Sequence, residues 1–422
     1  MRRPHLANPH PAHPPFDSPA TCGARVILTL GHSFFSPFAK PPKRVYCSQF
    51  AAFPDASNMA IQYIMQSAMI GAFVVSLAIS ALTTRFRKKP LILTGLVVMF
   101  LGGLVPVINH SQIWLLDLCG FLVGAGQGFL VPLVGSLILE NFVGRERERM
   151  IGLNTTFLTG GSALMLMLAG PVCMTGWVNV YYIYFIALPV FFVALLFLPD
   201  DEKKAEVKDE PKAAPATKTP IPWQGWVQCV LVVVMSLAYS VFPLNLSFFV
   251  TKAGLGDATS VSAGMTTITV VSALMGLILP QFIKVSRLYL AAVGAAFGIA
   301  ATLCVIFAQN IPMVYVGTFL AGVFFGINMA HPAYYVSRIC TPQQYGPTYS
   351  MCTSMNFLGI IVGPIIVSFL TNLWGGSSEV ALNCFQTGLG LFIVAFVLQV
   401  VWGTYLTRTL PKDKATKTAE QE

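Results

Sequence analysis

The chain has 422 residues, 55% of them hydrophobic and only 10% charged, with a mean hydropathy of +0.69. A soluble domain carries roughly 25% charged residues, so this composition argues against a soluble enzyme or binding module and for a polytopic helical membrane protein. The net charge of +9 does not point to nucleic acid, because the cations sit in short connectors between apolar runs and not in one patch.

Residues 1–48 are irregular. The first 24 are rich in Pro and His, and the prolines between His5, His10 and His13 prevent a shared helical face, so a polar tail is expected there and not a metal site. Residues 25–39 are apolar but short and interrupted by Pro37, with Lys40, Lys43 and Arg44 following. This predicts a poor, re-entrant or absent first span. From Met59 the apolar runs predict spans at 59–82, 90–108, 113–139, 150–174 and 178–198, each close to or above the ~20 residues that cross ~30 Å of hydrocarbon. The mixed-charge segment that follows cannot bury a core and reads as a solvated linker over 199–225. Six further spans are predicted at 226–250, 259–282, 288–308, 312–335, 347–372 and 381–406, with a charged tail over 407–422. The expected organisation is thus an N-terminal bundle over 49–198 and a C-terminal bundle over 226–406, an all-α polytopic membrane protein with about eleven clear spans and a degraded first one.

Orientation follows from the stretch S-A-L-T-T-R-F-R-K-K at 80–89. Arg85, Arg87, Lys88 and Lys89 lie between two spans with no acid among them, which pins this loop to the cytoplasmic side. By alternation the later cations at 145–149, 203–218, 284–287, 338 and 408–417 fall on the same side, while the opposite loops hold only Lys252. The linker and C-terminus are accordingly expected to be cytoplasmic, in a cell membrane. The two halves also repeat. Phe121, Gly124 and Gly128 recur at the same internal spacing as Phe319, Gly322 and Gly326, and six spans, a linker and six spans make a pseudo-twofold architecture.

On these residues the chain resembles the major facilitator superfamily of transporters across roughly 49–406. The 80–89 stretch is similar to the family's loop between spans two and three, G-x-L-x-D-R-x-G-R-R/K. Leu82, Arg85, Lys88 and Lys89 match, whereas Ser80, Thr84 and Arg87 replace Gly, Asp and Gly. The family uses that Asp in a cytoplasmic charge network, so the resemblance implies gating by this loop with one member changed. Antiporter-like members carry an Arg before the Gly-rich run of span four, where this chain has Gly120. They also carry G-x-x-x-G-P in span five, where only Gly170 and Pro171 remain. The full pattern, Gly359, Gly363 and Pro364, stands in span eleven. It reads either as a packing kink or as a gating hinge.

Ionisable groups inside spans are few. Asp117, near the outer end of span four, suits a proton or cation, or snorkels to the interface. Glu140, beside Arg145 and Arg147, suits an interfacial salt bridge. His331 suits proton carriage, since imidazole titrates near neutrality, or a neutral buried role. Amides are Gln62 and Gln66 on one face of span two, Gln127, Asn245, Asn328 and Asn356. Because the repeat makes spans one, four, seven and ten the cavity lining, Gln127, Tyr239, Asn245, Asn328 and His331 are the expected substrate contacts, each with helix packing as the alternative role. Such a lining suits a neutral or amphipathic organic solute.

The nine cysteines show no metal-ligand spacing and read as small buried hydrophobes, and no cofactor motif is present. The expectation is therefore a transporter and not an enzyme. It acts as a monomer by alternating access on a small molecule, coupled to protons or working as an uncoupled facilitator. An intramembrane enzyme using Ser162 with His331, and a transport-fold sensor, are the competing classes.

Overall fold

The computed structural model describes residues 58–83, 86–109, 112–174, 177–198, 221–256, 258–377 and 380–409. The expected N-terminal segment, most of the linker and tail, and Arg85 lie outside them. The regular structure of the described residues is helical throughout. In chain order it comprises α1 (Asn58–Leu82), α2 (Lys88–Ile108), α3 (Ile113–Asn141), α4 (Gly144–Met174), a 3-10 stretch (Trp177–Ile186), α5 (Ala187–Phe197), α6 (Trp223–Tyr239), α7 (Val241–Lys252), α8 (Ala258–Ser286), α9 (Leu290–Ile306), α10 (Ile311–Ile339), α11 (Tyr345–Leu373) and α12 (Ala381–Thr409). Hydrocarbon offers no partner to a bare peptide group, so apolar runs of this length satisfy their backbones as helices. Among the described residues eight segments are long and apolar enough to cross a membrane. Helix α4 is not one of them. It opens with a charged turn and carries Asn154, Thr155, Thr156 and Thr159, and it packs against α8.

Two predicted spans are broken. The span expected at 178–198 begins as a ten-residue 3-10 stretch, W-V-N-V-Y-Y-I-Y-F-I. Its β-branched and aromatic residues are poor α-formers, and Tyr184 is buried against α2 at Gly103. The span expected at 226–250 breaks at Ser240. Pro243 has no N–H to offer the Tyr239 carbonyl, and the Ser240 hydroxyl turns back to donate to the Leu237 carbonyl at 2.7 Å.

Lys and Arg collect where α1, α3, α8, α10 and α12 end and where α2, α4, α9 and α11 begin; this is the basic end. Helix packing uses the repeated glycines. A Cβ on Gly124 would collide with the Ala68 carbonyl of α1, and one on Gly128 would sit 2.6 Å from the Ala72 carbonyl. Likewise, a Cβ on Gly322 or Gly326 of α10 would come within 2.7 Å of Val271 or 2.8 Å of Met275 of α8. Helix α11 lies on α6, α9 lies between α10 and α12, and the helices before the linker touch those after it along α1 with α11 and α4 with α8. One apolar core draws on both groups, with Val134, Ile138 and Leu139 of α3 packed among Tyr345, Tyr349 and Met351 of α11.

Candidate functional site

The contact between the two helix groups is polar near the basic end and apolar above it. Ser76 on α1 donates to Ser354 Oγ on α11 at 2.9 Å, and Ser80 donates to the Pro347 carbonyl at 2.9 Å. On the other flank Thr156 of α4 donates to the Ala273 carbonyl of α8 at 2.9 Å, where Gly152 and Gly276 face each other closely enough that a Cβ on either would collide. Arg338 Nη2 and Glu148 Oε1 pair at 2.9 Å between α10 and α4. Arg147 donates to the Tyr345 hydroxyl at 3.4 Å and lies 5.1 Å from its ring centroid. Tyr349 is pressed against Gly135 of α3, which has no room for a side chain. One to two turns further from the basic end, Ala68, Met69 and Ala72 of α1 close on Phe357 of α11. Apart from Ala68 and Met69, just past the middle of α1, these contacts lie in the half of each helix nearer the basic end, so the two groups meet there.

Glu148 precedes the apolar run of α4. Burial pushes its carboxyl up, and Arg338 and Arg145 pull it back part of the way. Glu140 pairs with Lys88, which is 7% exposed, and not with the expected Arg145 or Arg147. Arg147 turns away to donate to the Phe142 carbonyl at 2.6 Å as well as to Tyr345. The basic loop is thereby tied to the end of α3 through Lys88, while Lys89 is partly exposed.

The predicted substrate contacts lie on α3 (Gln127), α6 (Tyr239), α7 (Asn245) and α10 (Asn328 and His331). Gln127 is buried and lies on the face of α3 that carries Val131, Val134 and Gly135, the face turned to α11. Asn328 and His331 are 1% and 0% exposed and share a face of α10 with Phe324 and Tyr335. That face packs into the later helix group: Phe324 meets Phe392 of α12 at 5.0 Å, and Tyr335 donates to the Leu288 carbonyl. His331 Nδ1 is 3.0 Å from the Asn328 carbonyl oxygen, while His331 Nε2 and Asn328 Oδ1 have no hydrogen-bond partner among the described residues. Tyr239 stacks on Phe325 at 4.5 Å, one turn from Asn328. Asn245 donates to the Val241 carbonyl of its own helix at 3.2 Å. Asp117 is half-buried and its Oδ1 has no partner among the described residues. Asn356 donates to Ser236 at 2.9 Å, and Gly359 and Gly363 press on Ser236 and Ser240, so the pattern ending at Pro364 packs against the break between α6 and α7. Gly170 and Pro171 lie in α4, but their surroundings fall outside the described residues, as do those of Gln62.

Sequence reading missed Gln228 and Gln399, both 0% exposed, with Gln228 accepting from Trp402 Nε1 at 3.1 Å. A lone amide inside an apolar run was the available signal for both. Ser162 donates to the Leu158 carbonyl at 2.7 Å and not to a base, so a nucleophile at Ser162 finds no support.

Two groups of apolar helices that touch chiefly along α1–α11 and α4–α8, with α3–α11 and α4–α10 beside them, are the build of a transporter. The sequence profile of the Major Facilitator Superfamily matches residues 21–302 and 229–422, and the chain belongs to that family, as a multi-pass membrane protein. It is 30% identical over 142 residues to "Probable anion transporter 6, chloroplastic" of Arabidopsis thaliana, an alignment covering 31% of this chain and 26% of that protein. Its fold is similar to that of the human organic anion transporter MFSD10 (TETRAN), with a TM-score of 0.71 at 14% identity over 92% of this chain and 100% of the other. A bacterial homologue of the iron transporter ferroportin in its outward-facing state gives 0.68 at 12% identity over 91% and 98%. FucP in the outward conformation gives 0.67 at 15% over 91% and 99%.

Proposed function

We propose that the chain is a secondary transporter that moves a small organic solute by alternating access, and that the described conformation is the one closed to the cytoplasmic side. The observation that carries this reading is the placement of the inter-group contacts, which gather at the basic end along α1–α11 and α4–α8. Those two pairs exchange under a twofold relating α1 to α8 and α4 to α11. The packing of Gly124 and Gly128 on α1, repeated by Gly322 and Gly326 on α8, supports that symmetry and the two-bundle division at 49–198 and 226–406. By the positive-inside rule the basic end faces the cytoplasm or its topological equivalent. Rocking of the bundles would break the basic-end contacts and form new ones at the far end.

The solute is proposed to be neutral or amphipathic, contacted by Gln127, Tyr239 and Asn245, with Asn328 and His331 behind Tyr239. Among the described residues every Lys and Arg lies near a helix end, leaving no cation at mid-depth to hold a strongly charged anion. A second reading, an organic anion of low charge density, is favoured by the anion transporters among the similar proteins. Proton coupling through His331 or Asp117 is part of the proposal, as is action as a monomer. Counterflow in proteoliposomes tests it. A neutral or singly charged organic solute should exchange, and a pH gradient should drive its accumulation. Exchange without gradient-driven accumulation would identify an uncoupled facilitator, and selective uptake of a dicarboxylate or phosphate ester would overturn the solute class.

A further inference from the structure

On the outer surface of the later helix group a groove of about 440 Å³ runs between α9 and α12. Neither helix takes part in the contacts between groups described above. Tyr289, Ala292, Ala296 and Ala300 form one wall, and Phe396 and Val400 form part of the other. The alanines recur every fourth residue on one face of α9 and leave a channel where larger residues would fill the surface. From Tyr289 to Ala300 the helix rises about 16 Å, half of the ~30 Å hydrocarbon core and so the depth of one leaflet. The channel starts at the basic end, where the Tyr289 hydroxyl meets Thr404 Oγ1 at 3.3 Å and ties the two walls together.

Cations stand at the same end of these helices. Lys284 is exposed in the last turn of α8, Arg287 in the turn leading into α9, and Arg408 near the end of α12. No described acid pairs with any of the three, and residues 258–378 contain no Asp or Glu. Arg287 has φ +46°, a left-handed conformation in which glycine would be unstrained. A long cation occupies the corner where the cheapest residue would carry none.

We propose that this groove seats one acyl chain of an anionic phospholipid of the basic-side leaflet, with its phosphate held by Lys284 and Arg287. An apolar slot of single-leaflet depth matches a chain, and unpaired cations at its interfacial end match a charged headgroup.

The test is lipid retention by the full-length protein in native mass spectrometry, joined to thermal unfolding in detergent with added phosphatidylglycerol, phosphatidylcholine or inorganic phosphate. Phosphatidylglycerol should be retained and should raise the melting temperature, with phosphatidylcholine weaker and inorganic phosphate inert. Arg287→Gly, which keeps the turn, and Lys284→Gln should each weaken retention about fivefold, the factor for one cation near an anionic surface. Ala296→Leu should block the chain for either lipid, with Ala296→Val as the milder substitution if leucine impairs folding. Equal retention of the two lipids, unchanged retention in the charge variants, or an equal shift with inorganic phosphate would overturn the proposal.

Discussion

Arg338 and Glu148 are 190 positions apart and pair across the two helix groups. The pair is not expected to be a large source of stability. Desolvation leaves Glu148 with a raised carboxyl even beside Arg338, and a buried pair often gains less than it costs to dry. The sign follows. A carboxyl raised in the folded state contributes stability that is fully present below its unfolded pKa and is lost as pH rises through its folded pKa. Glu148→Gln should therefore leave the melting temperature nearly unchanged in acid and match or exceed the wild type at neutral pH, by about 1 kcal/mol or less. Its functional effect should be to loosen the closed end, seen as faster labelling of cysteines introduced beneath the Tyr345–Tyr349 turn. A neutral-pH loss of several kcal/mol would mean that the pair holds the fold and does not gate it. At His331 the prediction concerns coupling. His331→Gln should keep counterflow within about threefold while abolishing the response to a pH gradient, since an amide replaces the titratable ring. An unchanged gradient response would remove His331 from the proton path.

Among the elements, the long apolar spans were legible because length and hydrophobicity alone dictate a helix in lipid. The repeated glycines were legible as a shared spacing, and the structure shows them to be points of close packing, with Gly124 meeting the α1 backbone. Gly124→Leu should destabilise by about 1–3 kcal/mol, the range for overpacking, and Gly359→Val should act similarly through Ser236. Thermal unfolding in detergent checks both, and a stability equal to wild type would contradict the packing described. The breaks at Ser240 and over Trp177–Ile186 were not legible from hydropathy, which is blind to backbone hydrogen bonding, although Pro243 carried the signal for the first. The partners of the site residues were hidden for another reason. Glu140 had two cations nearby in sequence, and the structure pairs it instead with Lys88 from the far side of two spans. Gln399 looked like one polar residue in an apolar helix, and only packing places it inside the later group.

For the whole molecule, alternating access requires the basic-end contacts to be the closed side of a cycle. Apolar closure by Met69, Ala72 and Phe357 above the polar contacts makes a two-layer seal, which separation of the bundles must open as a unit. The direct measurement is a disulfide between Ser76→Cys and Ser354→Cys, whose parent hydroxyls are 2.9 Å apart. It is best made with Cys229 and Cys352, 3.4 Å apart at sulfur, changed to serine so that they do not compete. Oxidation should cross-link the engineered pair readily and stop transport in proteoliposomes, with activity returning on reduction. Full cross-linking with undiminished transport would show that the two groups need not part at this end, and the alternating-access account would fail.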